Sequence, residues 1–187
     1  MHTNTVSSNQ ERLWYLSDLH PELSATFNIG SIIRYRGPVD RQAPREAIAR
    51  IVRRHDSPRM EFDEKSGEVI SRQRPEIDVD LTIEPITDLD EKGTDATISG
   101  RFREMVAQPF DLRRAPLWRM QLLYTDQAHY LLFVVHHILS DFRSIFVLFK
   151  AIQHEHELLV GGEPAPWPRT VSDHEAFRLF LERQHRQ

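Results

Sequence analysis

Two adjacent histidines, His136 and His137, end an apolar run, and Asp141 lies four residues after the second. Imidazole titrates near neutral pH, so one side chain can serve first as base and then as acid. A histidine at the end of a buried strand, just before a helix, is well placed for such proton transfer. The same residues also have plainer readings. His137 reads equally as a partly buried histidine satisfied by hydrogen bonds, and Asp141 or Ser140 as the N-cap of the following helix. Ser140 as a nucleophile lacks the surrounding nucleophile-elbow pattern. Strand alternation puts Leu131, Phe133, Val135 and His137 on one face and Leu132, Val134 and His136 on the other. The two imidazoles then diverge and are a poor pair for one metal ion. His154 and His156 stand two apart on a helix and share no face.

Several elements must position these groups. The spacing predicts a first helix in "SSNQERLWYLSDLH", capped by Ser7 or Ser8, with Leu13, Leu16 and Leu19 inward and Pro21 ending it. "TFNIGSIIRYRG" alternates as a strand. "VDRQAPREAIARIVRRHD" reads as a helix capped by Asp40, with Pro44 in its first turns and an apolar stripe of Ala47, Ile48, Ile51 and Val52. A hairpin turning at Ser66-Gly67 follows, then a strand in "DVDLTIEPI" and a helix from Thr94 to Ala107 stopped by Pro109. A second hairpin turns near Asp126, and its last strand, apolar on both faces, belongs at the centre of the sheet. Trp118 falls on a half-buried strand face. A long helix runs from Asp141 to Val160, closed by Gly161-Gly162. "GGEPAPWPRT" is a linker in which Trp167 anchors a last helix over 172–185. Irregular alternation with hairpins predicts an α/β layered domain with a mixed sheet.

The chain has 187 residues, 40% apolar and 28% charged, with a formal net charge of -4. These values suit one domain with a sizeable core. They give no basic surface for nucleic acid. There is no cysteine, so disulfides, thiol catalysis and thiolate metal sites are excluded. The N-terminal stretch lacks signal-peptide character, and the longest apolar run is too short to span a membrane. A cytoplasmic location is expected. Met1, close before the first recognisable motif, reads as a natural start.

The ordered motifs resemble the condensation domains of nonribosomal peptide synthetases, relatives of chloramphenicol acetyltransferase. Their signature, His-His-x-x-x-Asp-Gly, is matched by His136, His137 and Asp141, with Phe142 in the glycine position. "SSNQERLWYL" is similar to SxAQxRLWxL, with Asn9 for alanine. "RHDSPRMEF" is similar to RHExLRTxF, with Pro58 for leucine and Met60 for threonine. "PFDLRRAPLWR" matches PFDLxxxPLxR, and "VSDHEAF" resembles YxDYAxW, keeping Asp173 and Ala176.

The resemblance implies a chloramphenicol acetyltransferase-like lobe, a mixed β-sheet covered by helices, spanning 1–187. It would be the N-terminal lobe of a two-lobed domain whose C-terminal lobe is absent. In that family an acyl or peptidyl thioester on a carrier protein's phosphopantetheine arm is attacked by a carrier-bound amine, and an amide forms. No cofactor is bound directly. The resemblance makes His137 the catalytic residue. It makes His136 and Asp141 structural supports and pairs Asp141 with Arg59. The implied partners are carrier proteins and a C-terminal lobe supplied in cis or trans. The chain alone is expected to be weakly active or inactive. A non-catalytic module binding a carrier protein, the missing lobe or a tailoring enzyme is the alternative; acyl transfer to a hydroxyl and epimerisation are further variants on the fold.

Overall fold

The computed structural model describes residues 3–36, 42–87 and 89–161. The expected Asp40 cap, the linker after Gly161, Trp167, Asp173, Ala176 and the last helix lie outside the described residues.

Helix α1 (Ser8–Leu19) starts at Ser7, whose hydroxyl accepts the Gln10 N–H while the Gln10 side chain accepts the Ser7 N–H. This reciprocal pair satisfies two N–H groups that a helix start leaves open. The inward face differs from the expectation. Leu13, Trp14 and Ser17 are buried, whereas Leu16 and Leu19 are 39% and 69% exposed. Trp14 is the wider side chain, and burying it beside Leu13 turns Leu16 and Leu19 outward. A 3-10 segment from Pro21 to Phe27 follows, as a proline after a helix favours.

Strands β2 (Asn28–Arg36), β5 (Leu81–Pro85), β6 (Trp118–Tyr124) and β7 (Ala128–His136) form one sheet in the order β2-β7-β6-β5. The β5–β6 pair is parallel and the others are antiparallel, so the sheet is mixed, as expected. Every residue of β7 is buried, which accounts for an apolar run without alternation. On one face, α2 (Ala43–Arg54) and α4 (Phe142–Leu159) cover Trp118, Met120, Leu122, Leu131, Phe133 and Val135. On the other, α3 (Glu91–Ala107) lays Ile98 against Leu123, Tyr130 and Leu132. It begins before the expected Thr94 because Asp90 caps it through the Gly93 N–H at 2.7 Å. Gly30 in β2 lets α3 approach. A Cβ there would lie 2.6 Å from the Phe133 carbonyl oxygen and 2.9 Å from the Phe102 ring.

A small sheet sits beside this one, in the order β1-β4-β3, from β1 (Thr3–Thr5), β3 (Met60–Lys65) and β4 (Glu68–Gln73). Its hairpin turns at Ser66 and Gly67, with φ of 57° and 85°. Two left-handed residues in a two-residue turn match the twist of a tight hairpin. A third apolar cluster, with Leu13, Trp14, Phe62, Val69, Leu117 and Ile138, binds this sheet and α1 to the segment after β7. Among the described residues, no helix is long and apolar enough to cross a membrane.

Candidate functional site

Strand β7 ends at His136, and His137 opens a turn over 137–139 rather than continuing the strand alternation. His136 is fully buried. Its Nδ1 accepts the Ile138 N–H at 3.2 Å, so Nε2 carries the proton and points at the Ser17 hydroxyl 3.5 Å away. The rings of Phe27 and Phe110 meet it edge-on. Burial, and then the neighbouring His137, lower its pKa to about 4. His136 is thus a neutral wedge that folds the turn back on the strand end.

His137 is half-buried. Its N–H donates to the Phe27 carbonyl at 2.8 Å, and its Nδ1 lies 2.8 Å from the Ser140 carbonyl oxygen. A carbonyl only accepts, so Nδ1 holds the proton and Nε2 keeps its lone pair. This is the tautomer a general base needs. The turn is pinned from several sides. The Leu139 N–H donates to the His136 carbonyl at 3.0 Å. Gln10 Nε2 donates to the Ile138 carbonyl at 3.1 Å, and the Ser57 hydroxyl to the Leu139 carbonyl at 3.4 Å.

Asp141 caps α4, as the plainer reading allowed. Its carboxylate accepts the Ser144 N–H at 2.7 Å and the Ser144 hydroxyl at 2.6 Å. These bonds, the hydroxyl first, hold its pKa below the usual carboxylate value. The expected Arg59–Asp141 pair is not formed. Arg59 is buried and pairs with Asp56 at 2.9 Å, while donating to the carbonyls of His55, Arg74 and Pro75. The reason is local. Arg59 ends a 3-10 turn, Ser57–Arg59, whose preceding residue is Asp56. A guanidinium with five donors is satisfied there without reaching the next loop. That turn is tied to the sheet by Trp118, which is buried rather than half-buried and donates its indole N–H to the Pro58 carbonyl at 2.9 Å.

Residue 142 is the first residue of α4, and Ser66 is the one non-glycine residue with positive φ among the described residues. The backbone at 142 therefore needs none of glycine's freedom. The PFDL segment supports His136 from behind. Arg119 lies 3.8 Å over the Phe110 ring and donates to the carbonyls of Met105, Gln108 and Pro109, closing the end of α3.

Sequence reasoning missed Gln10, Ser57 and Asp56 as supports. The S-x-x-Q pattern of a capping box was visible; its reach to Ile138 was not. It also missed a groove of about 420 Å³ between α2 and α4. Ile48, Val52, Phe133, Leu148 and Ile152 line it, and Ser140 and Asp141 stand at its rim. Among the described residues, no group of three or more His, Cys, Asp or Glu side chains could hold a metal ion.

The family profile described as "Condensation domain" matches residues 1–187. The chain belongs to the condensation-domain family. Chondramide synthase cmdD of Chondromyces crocatus is 33% identical over 162 residues, 86% of this chain and 4% of that protein. Surfactin synthase subunit 2 of Bacillus subtilis (strain 168) is 33% identical over 190 residues, 94% of this chain and 5% of that protein. The chain thus spans a small part of these relatives. The fold is that of solved condensation domains. The starter condensation domain of the rhizomide synthetase RzmA superposes with a TM-score of 0.85 at 19% identity, over 98% of this chain and 44% of its own. The SgcC5 protein of Streptomyces globisporus superposes with a TM-score of 0.85 at 22% identity, over 97% of this chain and 42% of its own. Condensation domains of nonribosomal peptide synthetases work with groups held on carrier-protein phosphopantetheine.

Proposed function

We propose that this condensation-domain chain is the N-terminal lobe of an amide-forming enzyme and that His137 is its general base. One observation carries the reading: the Nδ1–H bond to the Ser140 carbonyl, 2.8 Å long, leaves Nε2 free to accept a proton. The amine of a carrier-bound acceptor attacks the thioester carbonyl of a carrier-bound donor. Nε2 takes the amine proton as the C–N bond forms. Collapse of the tetrahedral intermediate breaks the C–S bond, and the departing thiolate recovers the proton. His136 and Asp141 act as supports and touch no reacting atom.

The groove beside Ser140 has the volume and apolar lining of a small-molecule site, so it takes the apolar part of one of the two substrates. A variant of the RzmA starter domain was crystallised in complex with C8-CoA, which makes an aliphatic acyl chain a sensible first probe.

The chain spans 44% of the RzmA domain chain, so the remaining lobe must come from elsewhere in the same polypeptide or from a partner. The test assays amide formation from carrier-bound donor and acceptor with this chain alone and with a C-terminal condensation lobe added or fused. Amide formed only with both lobes, and lost with His137→Ala, is the expected result. No amide in either case, with carrier protein still bound, would favour a non-catalytic docking module.

A further inference from the structure

Gln10 uses both ends of one side-chain amide. Its Oε1 accepts the Ser7 N–H at 3.0 Å, the returning half of the capping box that starts α1. Its Nε2 donates to the Ile138 carbonyl at 3.1 Å, across a sequence separation of 128. Ile138 is 2% exposed, and a carbonyl at such depth is costly to leave without a donor. The neighbouring carbonyls of the turn have their own donors, Ser57 for Leu139 and His137 Nδ1 for Ser140. Gln10 supplies the donor for Ile138.

We propose that Gln10 is a positioning residue for His137: by holding the Ile138 carbonyl it fixes the turn that aims His137 Nε2. The inference rests on the reading of His137 as the base. The helix cap alone does not explain the choice of side chain. Capping requires only an acceptor at this position, and glutamate serves as well as glutamine. Near a helix N-terminus the carboxylate is even favoured by the helix dipole. Holding Ile138 requires a donor, which an ionised carboxylate lacks. The two roles therefore separate in a single variant, Gln10→Glu. Displacing a base by about 1 Å can cost on the order of 100-fold in rate, so a loosened turn has a kinetic signature.

The experiment combines amide hydrogen exchange on the chain with turnover by the two-lobed enzyme, for Gln10→Glu and for Gln10→Met. Gln10→Glu is expected to keep the α1 exchange rates and to lower the thermal midpoint by about 2–4 °C, while the amides of His137 and Leu139 exchange about tenfold faster. In the two-lobed enzyme kcat falls about tenfold with KM nearly unchanged, because the base and not the binding surface is disturbed. Gln10→Met loses both bonds and loosens α1 as well. Turn amides in Gln10→Glu that exchange as in the unaltered chain would overturn the proposal, as would an unchanged kcat. Exchange is read independently of chemistry. If His137→Ala leaves turnover intact, the base assignment fails; if Gln10→Glu leaves the turn unchanged, the tie fails.

Discussion

The Nδ1 atom of His137 donates to the carbonyl oxygen of Ser140 at 2.8 Å, inside the turn that the imidazole itself belongs to. Among the described residues, the ring's hydrogen bond is to its own loop rather than to a carboxylate. Removal of the side chain should lose general-base help together with the bond to the Ser140 carbonyl. With His137→Ala in the two-lobed enzyme, turnover is expected to drop by about 10²–10⁴-fold. The thermal midpoint should move little, since the ring is half-buried. A drop in rate that tracks loss of folded protein would sink this assignment.

His136 should couple stability to pH. Its pKa is about 4 in the folded chain against an ordinary 6.5. The unfolded chain therefore binds this proton more readily, and protonation favours unfolding. This contribution is complete above about pH 6.5, is lost as pH falls toward 4, and amounts to about 3 kcal/mol at most. Urea unfolding at pH 7 and pH 4.5 should show the loss, and His136→Leu should flatten the difference. An equal pH slope in the variant would assign it to other groups.

The Arg59 and Asp141 positions should act independently. Arg59 pairs with Asp56, and Asp141 caps α4 through Ser144. A double-mutant cycle of Arg59→Met with Asp141→Ala is expected to be additive within about 0.5 kcal/mol. The cycle with Asp56→Ala should show coupling of about 1 kcal/mol. Asp141→Ala alone should cost about 1 kcal/mol, and Asp141→Asn much less, because asparagine also caps. Strong coupling between residues 59 and 141 would restore the pairing that the motifs implied.

The α2–α4 groove should select substrates by size. Ala151 lines it and is 6% exposed. Ala151→Leu adds methylenes inside the groove, and a methylene misfit in an apolar pocket costs about tenfold or more. The two-lobed enzyme is expected to lose about tenfold in kcat/KM for an octanoyl donor while keeping its rate with an acetyl donor. An equal loss for both would place the octanoyl chain elsewhere.

The amino-acid order was enough for the elements whose signals are local. Alternation and apolar runs marked β2 and β7, the i, i+3, i+4 stripe marked α2, and Ser66-Gly67 marked the hairpin, because each depends on neighbours within a few residues. The motif His136, His137 and Asp141 was legible for the same reason, and so was the capping role of Asp141. Side-chain partners were not. Whether Leu16 or Trp14 faces inward depends on what α1 packs against. Whether Arg59 turns to Asp56 or Asp141 depends on the carbonyls of Arg74 and Pro75 that meet it. The reach of Gln10 to Ile138 joins segments 128 residues apart, and the groove exists only once α2 and α4 settle on the same face of the sheet. Local sequence fixes which hydrogen-bonding groups a segment carries; only the packed tertiary structure decides which distant partner removes each of them from water.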